Sequence, residues 1–182
     1  MAGQYVNIIV PGYTNLYVRD LPYVAGSGDA SDTNPFNPTD ARPLIEGEWL
    51  ERTGADKVTR GGDNNMANDG GSGVKQNEGD KPAFLFFSEK GRYDVQLSKR
   101  AHIIAGPHGF EFRTKLCVDE FTALDVGAPV SVWDYDGPGG SYGVTRRVLG
   151  KASMSGAYVV GYVTRVFGSA DIAVMYSPGL KP

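Results

Sequence analysis

Two histidines are the first residues to test for chemistry. His102 and His108 flank Gly106-Pro107, and Asp119 or Glu120 would supply the carboxylate that orients a histidine base. No serine sits in a nucleophile-elbow context, and a histidine beside a turn is ordinarily just a polar side chain. Asp134-Tyr135-Asp136-Gly137 opens like a calcium loop, but Tyr142 and Gly143 stand where the closing glutamate belongs. Asp-Gly between two apolar runs is the better-founded hairpin signal. Asp63, Asn64, Asn65, Asn68 and Asp69 offer oxygen ligands between Gly61 and Gly73. A glycine loop is a poor cage, because ordering it costs about 1–2 kcal/mol per residue. Gly139 to Gly143 lacks the Gly-Lys-Ser/Thr of a phosphate loop. One cysteine, Cys117, and two histidines furnish neither a Cys/His zinc site nor an intrachain disulfide. The expectation is a protein that is not an enzyme, with no catalytic set, no metal site and no cofactor.

Binding chemistry is better represented. The pairs Lys99-Arg100 and Arg146-Arg147, with aromatics nearby, offer contacts to an acidic partner surface; solvated strand ends are the plainer reading. Tyr5, Val6, Asn7, Ile8, Ile9 and Val10 form a β-branched run bounded by Pro11-Gly12. It reads as a short strand or an extended arm that adds a strand to a neighbouring molecule or protomer. Trp49 and Trp133 sit in strand patterns and are expected to pack; exposed beside loop carboxylates, they would suit a carbohydrate-binding module. The net charge of -3 and a pI near 5.4 exclude a whole-chain basic footprint for nucleic acid. No apolar run approaches the ~20 residues of a membrane-spanning helix, so no membrane partner is expected. The N-terminus lacks the basic start and apolar stretch of a signal peptide. A soluble chain made in a reducing cytoplasm is the expectation.

These residues must be positioned by strands. Glycine is 25 of 182 residues, twice the usual ~7%, a profile poor for long helices and good for short strands with tight turns. Strands are expected over Gln4–Val10, Leu44–Leu50, Lys57–Arg60, Ala83–Phe87, Tyr93–Leu97, His102–Ala105, Val130–Trp133, Val144–Leu149, Ala157–Phe167 and Asp171–Tyr176. The cleanest pattern is Phe110–Val118, where Phe110, Phe112, Thr114, Leu116 and Val118 alternate with polar residues and only Cys117 breaks the polar row. Ala157–Phe167 is apolar on both faces. Residues 25–43 and 61–81 are turn-forming and nearly devoid of apolar side chains. No helix longer than two turns and no internal repeat is evident. The organisation expected is an N-terminal arm and strap over 1–43, then a β-domain over 44–182 carrying a flexible loop at 61–81. Its class is all-β, a small barrel or sandwich.

The C-terminal part carries a resemblance. Ala123-Leu-Asp-Val-Gly-Ala-Pro-Val-Ser-Val-Trp-Asp134, then a turn, is followed by Lys151-Ala-Ser-Met-Ser-Gly-Ala-Tyr-Val-Val-Gly-Tyr-Val-Thr-Arg-Val166 and Asp171-Ile-Ala-Val-Met175. This looks like the small β-barrel of tailed-phage head decoration (capsid-stabilising) proteins, with a G-x-P-V-x-V strand, a small-residue stretch, a V-V-G-Y-V strand and a final I-x-V strand. Arg42-Pro-Leu-Ile-Glu-Gly-Glu-Trp-Leu50 resembles the opening strand of such head proteins. The resemblance spans about residues 45–182 with gaps, and the loops at 25–43 and 61–81 depart from the compact family form. It implies a virion structural protein, a homotrimer or other small oligomer on the outer capsid surface that bridges major capsid protein subunits. A tail or baseplate component and the carbohydrate-binding module are the alternatives.

Overall fold

The computed structural model describes residues 6–10, 18–23, 45, 47–53, 56–59, 76–78, 83–86, 100–104, 109–135, 146–152 and 158–180. They form twelve strands: β1 (Val6–Val10), β2 (Val18–Pro22), β3 (Trp49–Thr53), β4 (Lys57–Thr59), β5 (Gln76–Glu78), β6 (Ala83–Phe86), β7 (Arg100–Ile104), β8 (Glu111–Thr114), β9 (Pro129–Tyr135), β10 (Arg146–Lys151), β11 (Tyr158–Gly168) and β12 (Asp171–Leu180). One 3-10 turn, Ala123–Asp125, is the only helical element among the described residues. The class is all-β, as expected.

One sheet has the order β2-β7-β6-β3-β4, the other β1-β8-β12-β11-β9-β10, with β5 added to β9. No strand ladder joins the two edges of either sheet, so neither is a closed barrel, which corrects that half of the expectation. The sheets share a core: Trp49, Leu85 and Ile104 of the first pack with Phe110, Phe112, Val130, Leu149, Val163, Ile172, Val174 and Tyr176 of the second.

The strand orders contain a repeat that the sequence does not display. Number β2, β3, β4, β6, β7 as one to five, and β8, β9, β10, β11, β12 likewise. Both units then read one-five-four-two-three, with every neighbouring pair antiparallel. Each also curls until the chain just beyond strand one meets strand three in a parallel bridge, Tyr23 to Val58 and Cys117 to Leu149. Following the pairings outward from those bridges aligns Leu21, Tyr23, Leu50, Val58, Ala101 and Ile103 with Thr114, Cys117, Val130, Leu149, Ile172 and Val174. The first set is a complete inner core. The second set is buried in the same way.

Local chemistry moves several strand boundaries. β3 begins at Trp49 rather than near Leu44, because Gly47 takes a positive φ of 97° and the Glu48 N–H turns back to donate to the Ile45 carbonyl at 3.2 Å. The alternation from Phe110 does not run through to Val118. The Leu116 N–H donates to Thr114 Oγ1 at 3.0 Å, which bends the chain at Lys115 and inverts the faces. Cys117 therefore enters the shared core, while Leu116 and Val118 pack with Trp133, Tyr135 and Val148 on the other side of the sheet. Within 61–81, read as loop, Gln76–Glu78 is a strand on the edge of β9 that β11 leaves free beyond Ser131. β12 continues through Ser177-Pro178-Gly179, and Pro178 falls at an irregularity in its ladder with β11, where a missing N–H is tolerated. The run at Tyr93–Leu97 lies outside the described residues.

Candidate functional site

The outer face of the second sheet gathers its unusual side chains on β8, β11 and β12. Arg113 donates from Nε and Nη2 to the two Asp171 oxygens at 2.7 and 2.6 Å, and its guanidinium lies 4.0 Å from the Phe167 ring centre. The hydrogen bonds from Arg113 hold the Asp171 carboxyl below its ordinary range. One cross-strand row inward, Glu111 is buried and accepts from the Thr164 hydroxyl, with Arg165 Nε at 4.0 Å. Each acid is thus answered by a base of the same chain. Tyr162, in the row of Met175 and Glu111, and Phe167, beneath the Arg113 guanidinium, lie toward the two ends of this group and are 45% and 49% exposed.

The segment after Val118 extends this surface along β11. Glu120 and Phe121 donate their N–H groups to the Ser169 carbonyl, the Gly127 N–H donates to the Val163 carbonyl, and the Val163 N–H donates to the Ala128 carbonyl. Between these anchors Thr122 and Asp125 cap the 3-10 turn reciprocally, and Lys151 Nζ lies 2.8 Å from Asp125 Oδ1. The bond from Lys151 draws the Asp125 carboxyl down. The turn presents Leu124 at 94% and Val126 at 56% exposure. Aromatic, Met and Arg side chains with internally matched charge are what protein–protein contact surfaces enrich.

The residues singled out from sequence are dispersed. Val6–Val10 is a strand, paired antiparallel with β8 of its own chain, at one end of the second sheet. Tyr5 and Lys99 lie outside the described residues. Arg100 opens β7 opposite Pro22 and is half-buried. Arg146 and Arg147 stand at the opposite end of the sheet from β1 and are bound inside the chain: Arg146 Nη1 to Glu48 Oε1 at 3.2 Å, Arg147 Nη1 to Glu51 Oε1 at 2.6 Å. Glu48, fully buried, also accepts the Ile45 N–H at 2.8 Å. These pairs tie β10 to the first sheet.

Trp49 is fully buried, ringed by Phe112 and Tyr176 at 6.0 and 6.4 Å between centroids; Trp133 donates to the Lys151 carbonyl at 3.1 Å and is 8% exposed. Neither is an open platform. Burial pushes the Cys117 thiol up and the Tyr176 phenol to about 12. Backbone pairing sets His102 opposite Asp20, Glu120 accepts the Lys151 N–H at 3.0 Å, and Asp134 lies in β9 opposite Gln76 and Arg147. His108, Asp136, residues 61–73 and 139–143 are outside the described residues. Among the described residues no three His, Cys, Asp or Glu side chains gather into a candidate metal site.

Sequence reading did not single out Tyr162, Phe167, Leu124 or Val126. The available signal was that Ala157–Phe167 is apolar on both faces, although only one face of a sheet can meet the shared core. Set against protein-family models, curated proteins and solved structures, the chain gives no match.

Proposed function

We propose that this chain is a non-enzymatic structural protein of a tailed-phage virion. Synthesised in the host bacterial cytoplasm, it binds the outer capsid surface as a decoration protein and stabilises contacts between major capsid protein subunits. The observation that carries the reading is the strand pattern over 123–175, which resembles head decoration proteins and folds here as β9 to β12 of a single sheet. A rigid body of two sheets with one core suits a clamp that acts by shape. An exposed face of aromatic and charge-matched residues suits adhesion. Repeated contacts around a shell add by avidity, so each need only be modest. A homotrimer or other small oligomer is the assembly the resemblance implies.

The test is reconstitution. Purified protein added to particles stripped of it binds saturably, in fixed ratio to the major capsid protein, and raises the temperature at which the particles release DNA. Absence of binding overturns the reading.

A further inference from the structure

The second sheet holds two strands that its own five-strand unit does not supply. β1 lies on β8 and β5 on β9, and both come from the stretch of chain that builds the first unit. β10 reaches back the other way. Arg147 Nη1 lies 2.6 Å from Glu51 Oε1, with the two side chains 6% and 16% exposed, and Arg146 Nη1 lies 3.2 Å from Glu48 Oε1. Glu51 pairs on one side with Thr59, the last residue of β4, and on the other with Ala83, the first residue of β6. β5 is inserted in the chain between those two residues. Arg147 pairs with Asp134, and Asp134 pairs in turn with Gln76, the first residue of β5. A single row therefore runs Gln76, Asp134, Arg147, Glu51, Ala83. Backbone pairing makes every link of that row except one, the ion pair of Arg147 with Glu51.

We propose that β5 is a releasable latch between the two units, and that the Arg147–Glu51 pair is what holds it shut. β5 is short and polar, Gln-Asn-Glu, and its ladder with β9 is two residue pairs with an irregularity between them. A strand held so lightly opens locally, well before the protein unfolds as a whole. Proximity is what favours its docking. Five chain steps carry Glu78 to Ala83, about 17 Å at full stretch. β5 thus reaches β9 while β9 is kept close to the point where β6 begins. Arg147 on Glu51 keeps it there, because Arg147 is paired to β9 and Glu51 to Ala83. The short tether then presents β5 to its site at high effective concentration. Arg146 on Glu48 ties the same end of β10 to the residue before β3. By linkage, docked β5 strengthens the ion pair by the factor with which the ion pair favours docking. This inference does not depend on the proposed function, since it concerns the protein free of any particle.

The test is amide hydrogen exchange on the full chain. Arg147→Met keeps the aliphatic bulk of the side chain and removes the guanidinium. Exchange at Gln76–Glu78 should rise about 10-fold, the scale of coupling between residues of one network. Residues 132–135 of β9 should follow, while the β11–β12 ladder, which runs from Tyr158 to Gly168, keeps its rates. Arg147→Lys, which restores the cation, should recover part of the protection. Glu51→Gln removes the other charge of the pair and should give the same pattern, so the outcome does not hang on Arg147→Met folding. Asn77→Pro undoes the latch from its own side. Combined with Arg147→Met, it should speed exchange at residues 132–135 no further than Asn77→Pro alone. Wild-type β5 amides without protection, unchanged β5 exchange in both charge variants, or equal acceleration along β11 and β12 overturns the inference. Additive effects in the double variant also overturn it, because the ion pair and β5 would then act separately.

Discussion

Leu85 and Tyr162 occupy the same place in two copies of one strand order, yet the first is sealed and the second half open to water. What separates them is what each unit was given to pack against. The first unit fills its outer face with Trp49, Leu85 and Ile104 and buries it on the second. The second keeps Pro129, Tyr162 and Met175 at those positions, and answers the charge of Glu111 with Thr164 and Arg165. Two faces of one strand order can therefore differ in polarity according to what covers each, and an apolar strand pattern alone does not say whether its outer face is covered.

The largest effect expected comes from the sealed side. Trp49→Ala removes a fully buried ring from the shared core and should cost about 3–5 kcal/mol in chemical denaturation. At the matched positions, Leu85→Ala should cost about 2–5 kcal/mol and Tyr162→Ala well under half of that in the isolated protomer. Equal losses at 85 and 162 would erase the distinction between the two faces.

Arg146→Met removes one guanidinium contact from the buried Glu48, and should cost about 3 kcal/mol by the same measurement. Gly161→Ala probes why the two units differ in register. A Cβ there would lie 2.2 Å from the Met175 carbonyl oxygen and 2.8 Å from a Val174 methyl, beside the irregularity at Val160. The β11–β12 backbone must shift, at about 1–3 kcal/mol. The first unit has Phe84 at that register position.

The smallest effect is a pH dependence. The Asp171 pKa is lowered in the folded protein, so Arg113 stabilises the charged carboxylate. That contribution is complete above the unfolded carboxylate pKa of about 3.9 and is lost as pH falls through the lower folded value. The gap in melting temperature between the wild type and Arg113→Met should thus be steady near neutrality and vanish under strong acid. A gap that widens on acidification contradicts the pairing.

Composition and alternation made the strands legible: Phe110, Phe112 and Thr114 do line the core side, and β4, β6, β7, β9 and β11 fall close to where apolar runs place them. Alternation could not reveal the bend at Lys115, because a single threonine hydroxyl causes it. Nor could it reveal the repeat. The matched inner positions pair Leu21 with Thr114 and Ala101 with Ile172, so they share burial and not residue type. β5 and the long stretch around it separate strands three and four of the first unit, while the irregularity at Val160 displaces the second by one residue. The exposed Tyr162 and Phe167 were hidden for a related reason: they read as core until the second sheet's inner face is known to be full.

Images of intact virions, compared with particles from which this protein has been removed, bear most directly on the account. It predicts oligomeric density on the outer shell where major capsid subunits meet, lost on removal and restored by adding the purified protein. Density confined to the tail, or particles identical with and without the protein, would contradict it.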